Sequence, residues 1–99
     1  MPEFIEVAKE DEIKEGQGKT VEAKGIEIGL FKKDSKFYAI NNICLHQGGP
    51  LGEGYLSGCM VECSLHGWTY DIRTGESPMG VKVETYSVKV ENGKVFVQV

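Results

Sequence analysis

The sequence predicts an all-β domain, and three observations support this prediction. No window of the 99 residues sustains the apolar period of an amphipathic helix. Short runs rich in β-branched and aromatic residues are separated by turn signals such as Lys24-Gly25 and Lys33-Asp34-Ser35. Near the C-terminus, Asn92-Gly93 stands between two alternating runs, which is typical of a type I′ β-hairpin. A chain of this length supports one core, so a single domain over residues 1–99 is expected.

The predicted elements follow one another closely along the chain. Strands are expected at residues 4–7, 19–23, 26–31, 36–40, 86–90 and 94–98. Residues 10–13 leave room for at most one helical turn before the next strand. A further short strand pair is expected at residues 55–57 and 60–63, around Gly58-Cys59.

The middle of the chain differs in composition from both ends. Eight of the thirteen glycines lie between Cys44 and Gly80, and no Lys or Arg occurs from Phe37 to Ile72. Glycine permits tight turns and close backbone approach, but it loses much conformational entropy on folding. We therefore expect an insert at about residues 43–79, ordered by some additional interaction, within a β base formed by about 1–42 and 80–99.

Composition and charge exclude several classes of protein. A net charge of −4 and a pI near 5.1 argue against a nucleic-acid partner, which demands a basic face. No apolar run approaches the length of a membrane helix, and the N-terminal stretch lacks a signal-peptide core. The chain is also very short for an enzyme that encloses an organic substrate. The expectation is a soluble, monomeric, cytoplasmic module that carries or binds something, with no membrane partner.

Cysteine and histidine occur together in two short motifs. They form Cys44-x-His46 and Cys63-x-x-His66, which use both histidines of the chain and leave Cys59 over. An odd number of cysteines without an export signal favours metal chemistry over disulfides. Two thiolates and two imidazoles make a soft set of four donors, suited to Zn²⁺ or to an iron–sulfur cluster. Zinc fingers usually place both cysteines in one knuckle, so zinc is the weaker of the two alternatives.

The two motifs and their sixteen-residue separation resemble the Rieske [2Fe–2S] family. Residues 44–54 are similar to the first cluster loop of that family, and residues 63–71 are similar to the second. The resemblance covers most of the chain and implies the Rieske fold with one [2Fe–2S] cluster. It assigns Cys44 and Cys63 to one iron and His46 and His66 to the other, with no catalytic residue.

Departures from the family pattern discriminate among its branches. Respiratory Rieske proteins carry two further cysteines as a disulfide, and Gly49 and Leu65 occupy the corresponding positions here. They also carry a serine that donates to a bridging sulfide, where this sequence has Trp68, whereas the later tyrosine is kept as Tyr70. The resemblance is therefore to the soluble ferredoxins of bacterial ring-hydroxylating oxygenases. It implies a low reduction potential, roughly −150 mV.

The function that this resemblance implies is one-electron transfer, with no substrate transformed on the chain. A flavoprotein ferredoxin reductase would supply the electron, and a terminal oxygenase or another redox enzyme would receive it. Two alternatives stay open: the small subunit of an assimilatory nitrite reductase, and an interaction module held together by zinc. Cys59 is expected to be a free thiol without a role, and Trp68 a packing residue beside the cluster.

Overall fold

The computed structural model describes residues 3–43, 50–63 and 67–99, and over these ranges it is all-β. The described part contains ten strands, two single-turn 3-10 helices and no α-helix. The 3-10 helices are Glu10–Glu12 and Leu51–Glu53. The strands are β1 Phe4–Lys9, β2 Gly18–Ala23, β3 Ile26–Lys33, β4 Lys36–Asn41, β5 Tyr55–Ser57, β6 Met60–Glu62, β7 Thr69–Asp71, β8 Thr85–Tyr86, β9 Val88–Glu91 and β10 Lys94–Gln98. The all-β prediction is confirmed, and so is the single helical turn at residues 10–13.

The described strands form three antiparallel sheets. Their orders are β1-β10-β9, β2-β3-β4-β8 and β5-β6-β7. The hairpin between β5 and β6 turns at Gly58-Cys59 as the sequence predicts, with Leu56 opposite Val61. Strand β7 is not among the predicted strands, since its three residues are too few to show an alternating pattern.

The C-terminal hairpin has the predicted turn but begins later than predicted. Asn92 and Gly93 both have positive φ, of 53° and 75°, as a type I′ turn requires. The strand predicted at residues 86–90 is two strands, because the chain passes from one sheet to another at Ser87. Tyr86 pairs with Ala39 in the second sheet, whereas Val88 pairs with Val97 in the first. Alternation of side chains continues through Ser87, so the sequence pattern alone does not reveal the crossing.

The β3–β4 hairpin lies between two hydrophobic cores. Successive residues of a strand point to opposite faces of the sheet, so Leu30 and Phe31 of β3 enter different cores. Ala39 and Ile40 of β4 do the same. The first core consists of Ala8, Ile13, Val21, Ala23, Ile28, Leu30, Ala39, Val95 and Val97. The second core consists of Phe31, Ile40, Leu51, Val61, Cys63, Tyr70, Ile72 and Val83.

The first sheet also brings the two ends of the described chain together. The N–H of Glu3 donates to the carbonyl of Val99 at 3.0 Å, and the N–H of Val99 donates back to the carbonyl of Glu3 at 3.0 Å. These bonds extend the β1–β10 pairing by one residue pair. No helix within residues 3–43, 50–63 and 67–99 is long and apolar enough to cross a membrane.

Candidate metal centre

Of the four predicted ligands, Cys63 lies within the described residues. Its side chain follows β6 and is 1% exposed, in the second core with Val61 and Tyr70. It is a free thiol rather than half of a disulfide. The other predicted ligands, Cys44, His46 and His66, lie outside the described residues, as do Gly49 and Leu65.

The chain on either side of residues 64–66 is joined by backbone hydrogen bonds. The N–H of Cys63 donates to the carbonyl of Trp68 at 2.7 Å. The N–H of Gly67 donates in turn to the carbonyl of Cys63 at 3.0 Å. Strands β6 and β7 continue this pairing, with Glu62 opposite Thr69. The segment that carries His66 therefore starts and ends at a closed stem, which we call the second stem.

Residues 44–49 are flanked by a second closed pair, which we call the first stem. Ile43 and Pro50 form an isolated antiparallel bridge. Next to it, the N–H of Leu51 donates to the carbonyl of Asn42 at 2.6 Å. The N–H of Gly52 donates to the Asn42 side-chain oxygen Oδ1, also at 2.6 Å. The segment that carries Cys44 and His46 is thus closed at its base by main-chain and side-chain bonds.

The two stems are packed against the same core. Leu51 of the first stem and Cys63 of the second stem both belong to the second core. The chain leaving the first stem also touches the end of β6, because a Cβ on Gly54 would overlap the carbonyl oxygen of Glu62. Both motif-bearing segments are therefore anchored on one buried cluster of side chains.

The segment after β7 folds back on the second core. The N–H of Gly75 donates to the carbonyl of Asp71 at 2.7 Å, and the N–H of Val83 donates to the carbonyl of Gly75 at 2.9 Å. Gly75 has a φ of 80°, and a Cβ there would overlap the carbonyl oxygen of Val83. Between these contacts, Pro78 lies in an exposed turn that is closed by a 3.0 Å bond from the Gly80 N–H to the Ser77 carbonyl.

Charge in this region is sparse and mainly acidic. Glu53 and Glu62 are the charged residues of the sequence between positions 44 and 70, and both are exposed. The first basic residue beyond them, Arg73, donates from Nη2 and Nε to the Asp71 carboxylate at 2.8 and 3.1 Å. This guanidinium lowers the pKa of Asp71, and the carboxylate raises the pKa of Arg73. The ion pair leaves little uncompensated positive charge on this part of the surface.

Cys59 and Trp68, which the sequence analysis singles out, both pack against the second core. Cys59 is half-buried in the β5–β6 turn, packs against the second core and is a free thiol. Trp68 is also half-buried and packs against the second core, which agrees with its predicted packing role.

Sequence reasoning missed Asn42, which is fully buried and bonds to the chain after the first motif. Its only sequence signal is a polar residue at the end of an apolar strand.

The donor chemistry of these residues fits a [2Fe–2S] cluster. Cys63 would supply a soft sulfur donor from within the second core. The remaining donors named by the motif are one thiol and two imidazoles, the mixed set that Rieske centres use. Two hydrogen-bonded stems on one core would let both motif segments contribute to a single centre.

Comparisons with known proteins also indicate a Rieske [2Fe-2S] domain. The sequence model of the Rieske [2Fe-2S] domain matches residues 3–93. The ferredoxin component of the naphthalene 1,2-dioxygenase/salicylate 5-hydroxylase systems of Ralstonia sp. is 35% identical over 98 residues, covering 96% of this chain and 94% of its own. The ferredoxin of carbazole 1,9a-dioxygenase from Nocardioides aromaticivorans superposes with a TM-score of 0.89, at 29% identity and 95% coverage of both chains.

Two further solved structures bear on function. A chain in the complex of reduced oxygenase and oxidised ferredoxin of carbazole 1,9a-dioxygenase superposes with a TM-score of 0.86, at 28% identity and 95% and 91% coverage. A protein described as an NADH-dependent nitrite reductase small subunit of Mycobacterium tuberculosis reaches 0.90 at 19% identity, covering all of this chain and 96% of its own, which shows a shared fold alone. With the family model matching 91 residues of the 99, the chain belongs to the Rieske [2Fe-2S] domain family.

Proposed function

We propose that this protein is the ferredoxin of a ring-hydroxylating dioxygenase system. It accepts one electron from a flavoprotein ferredoxin reductase and passes it to a terminal oxygenase, and transforms no substrate itself. The observation that carries this proposal is the match, over nearly the whole of both chains, to the ferredoxin component of such a system. The solved complex of an oxygenase with a ferredoxin of the same fold supports the terminal partner.

The proposed ligands are Cys44 and Cys63 on one iron and His46 and His66 on the other. When bound, the [2Fe–2S] cluster supplies a site that takes up and releases a single electron. Burial of Cys63 in the second core supports placing the cysteine side of the centre inward. Because imidazole is neutral, two histidines in place of thiolates reduce the negative charge that the site holds after reduction, which raises the potential.

We propose that the chain divides into a base of about residues 1–42 and 80–99 and a cluster-binding insert of about residues 43–79. The second core supports this division, since five of its eight members come from the insert: Leu51, Val61, Cys63, Tyr70 and Ile72. The other three, Phe31, Ile40 and Val83, are where the insert packs on the base. The strands β5, β6 and β7 also form a sheet of their own. We further propose a monomer that works in the cytoplasm, where its reductase and oxygenase would be found.

The surface near the stems fits a partner that presents apolar and basic groups. Ile43 of the first stem is a large apolar side chain with 48% exposure. The nearby charged side chains Glu53 and Glu62 are acidic. Basic residues on a partner would then chiefly speed association, while apolar contact would supply most of the affinity.

Metal analysis and spectroscopy of the purified protein test the proposal. The protein should be red-brown, with about two irons and two acid-labile sulfides per chain. Reduction should give a rhombic EPR signal of low average g, the signature of mixed nitrogen and sulfur ligation. A flavoprotein reductase should reduce it, and the reduced protein should be reoxidised by a terminal oxygenase.

Each alternative predicts a different result. A colourless protein with stoichiometric zinc after anaerobic preparation would identify a zinc-binding module instead. Stable copurification with a large sirohaem subunit would identify a nitrite reductase small subunit. The nitrite reductase neighbour shares the fold alone, whereas the dioxygenase ferredoxin shares 35% of its aligned sequence with this chain.

A further inference from the structure

Asn42 is a fully buried polar residue that belongs to no predicted ligand set. Its side-chain oxygen Oδ1 accepts the N–H of Gly52 at 2.6 Å, and its Nδ2 donates to Glu27 Oε1 at 3.3 Å. Its main chain is also bonded, because its N–H donates to the Glu27 carbonyl at 3.0 Å and its carbonyl accepts from Leu51 at 2.6 Å. Every polar group of this residue therefore has a partner on either β3 or the 3-10 turn after the first motif.

The space around the Asn42 amide is bounded by two glycines. A Cβ on Gly52 would lie 2.8 Å from Asn42 Oδ1 and 2.8 Å from Thr20 Oγ1, closer than atoms pack. A Cβ on Gly29 would lie 3.3 Å from the same oxygen and 3.1 Å from the Gly52 nitrogen. The Thr20 hydroxyl is itself within hydrogen-bond distance of Oδ1, at 3.4 Å. The fold thus leaves a closely fitting space for an amide side chain at position 42.

Because of its position in the chain, Asn42 joins the two ends of the segment that carries the first motif. Residues 43–51 leave Asn42 and return to it, since Leu51 and Gly52 both donate to this one residue. Cys44 and His46 lie on that segment. Without the Asn42 side chain, the buried N–H of Gly52 would lose its acceptor, which is costly for a buried donor.

We propose that Asn42 is a positioning residue for the iron–sulfur centre, closing the first stem so that the centre is retained. This inference rests on the proposed function. Asparagine suits the role better than aspartate because the two bonds need an acceptor for Gly52 and a donor for Glu27. An aspartate would keep the acceptor and place a second carboxylate against that of Glu27.

A donor–acceptor exchange on the holoprotein tests this role. The variants are Asn42→Ala, Asn42→Asp, Glu27→Gln and the double variant Asn42→Asp/Glu27→Gln. The measurement is the decay of visible absorbance when an iron chelator is added. We expect Asn42→Ala and Asn42→Asp to lose the cluster about tenfold faster than wild type, since each leaves a buried group unpaired.

The other two variants should keep the cluster. The amide introduced by Glu27→Gln can offer its oxygen to the Nδ2 of Asn42, so this single variant should lose the cluster at the wild-type rate. In the double variant, the new amide at position 27 donates to the new carboxylate at position 42, and the rate should return most of the way to wild type. If the double variant is no slower than Asn42→Asp, the proposed pairing is wrong.

A control in the first core separates positioning from general destabilisation. Leu30→Ala opens a cavity in the first core, and Leu30 is a residue of neither stem. The Asn42 variants should shift the EPR g values and the reduction potential, whereas Leu30→Ala should leave both unchanged. Cluster loss from Leu30→Ala as fast as from Asn42→Ala, at an equal drop in Tm, would overturn the inference. If Asn42→Ala does not fold, Asn42→Asp and its double variant decide the question.

Iron analysis of the wild type distinguishes the two possible failures. A wild-type protein without iron contradicts the proposed function, and this inference fails with it. A wild-type protein that holds its cluster, together with an Asn42→Ala variant that holds it equally long, contradicts the positioning role alone.

Discussion

The two cores of this protein are supported by different kinds of structure. The first core lies under strands of five to eight residues, such as β3 and β10, whose ladders run across two sheets. The second core lies under the three-residue strands β5, β6 and β7 and under turns that contribute Leu51, Ile72 and Val83. Short strands form few ladder bonds and are marginal without other support. We therefore expect the first core to persist by itself and the second to depend on its stems and on the proposed centre.

We expect the β3–β4 hairpin to limit how far a local loss of structure spreads from the second core to the first. Leu30 and Ala39 face the first core, while Phe31 and Ile40 face the second. Loss of the second core would expose one face of this hairpin and leave its cross-strand bonds to β2 in place. The comparison predicts that damage near the metal centre spreads over the insert before it reaches the base.

The largest effect is expected from Cys63→Ser. Removing a proposed cysteine ligand should abolish the cluster and loosen residues 43–80, since the glycine-rich segment has little else to order it. The strands of the base should partly survive. Limited proteolysis with mass mapping measures this, and new cleavage should fall within residues 43–80 before it appears elsewhere.

Cys59→Ser is the matched control for that experiment. It makes the same chemical change at a half-buried cysteine that packs on the same core and matches no ligand position. We expect it to keep the wild-type iron content and cleavage pattern. Equal resistance of the apo-protein and the holoprotein to cleavage in residues 43–80 would contradict the dependence of this region on the centre.

A smaller effect is expected on the reduction potential from Trp68→Ser. A hydroxyl at this position, next to the second stem, would donate to a sulfide, and a donor stabilises the reduced state more than the oxidised state. A difference of about 1 kcal/mol between the two states corresponds to a rise of roughly 40 mV. Voltammetry measures the shift.

Trp68→Ala serves as the control for lost bulk. Both substitutions remove a half-buried indole that packs on the second core, so both admit water to a similar degree. Only the serine adds a donor. A serine variant with no higher potential than the alanine variant would show that a missing donor does not set the potential of this protein.

The smallest effect is expected from the ion pair of Asp71 and Arg73. Arg73 lowers the pKa of Asp71, so the charged pair stabilises the fold above the ordinary carboxyl pKa of 3.8 and less so as the pH falls below it. Asp71→Asn should lower the Tm by a few degrees at neutral pH, because the guanidinium is largely exposed and screened. The difference from wild type should shrink as the pH falls below 3.8 and vanish only below the lowered pKa of Asp71. Glu76→Gln, which also removes one negative charge nearby, is the control for the change in net charge.

Much of the base was predictable from the sequence, since its strands alternate and its turns carry strong signals. The turns at Lys24-Gly25 and Asn92-Gly93 are both where the sequence places them. The crossing at Ser87 was not predictable, because side-chain alternation is the same whether a strand keeps its sheet or changes it. Strand β7 was missed for its length, as three residues carry no period.

The sequence predicts the two motifs of the candidate metal centre, but it does not predict how the residues around them are arranged in three dimensions. The sequence names Cys63 as a ligand, and its burial agrees with the cysteine side of a Rieske centre. The roles of Cys44, His46, Cys63 and His66 as ligands stay predictions. Asn42 could not be identified from the sequence, since its partners on β3 and on the 3-10 turn are set by the tertiary fold.

The hydrogen bonds between Glu3 and Val99 have a consequence for protein engineering. Because they place Glu3 and Val99 side by side on the base, a short peptide could link these two positions into a continuous chain. New ends could then be opened at an exposed turn such as Lys24-Gly25, which lies outside both motif segments. Such a circularly permuted variant would let a reductase or an electrode tether be attached at a chosen distance from the proposed electron-transfer site, with every proposed ligand unchanged.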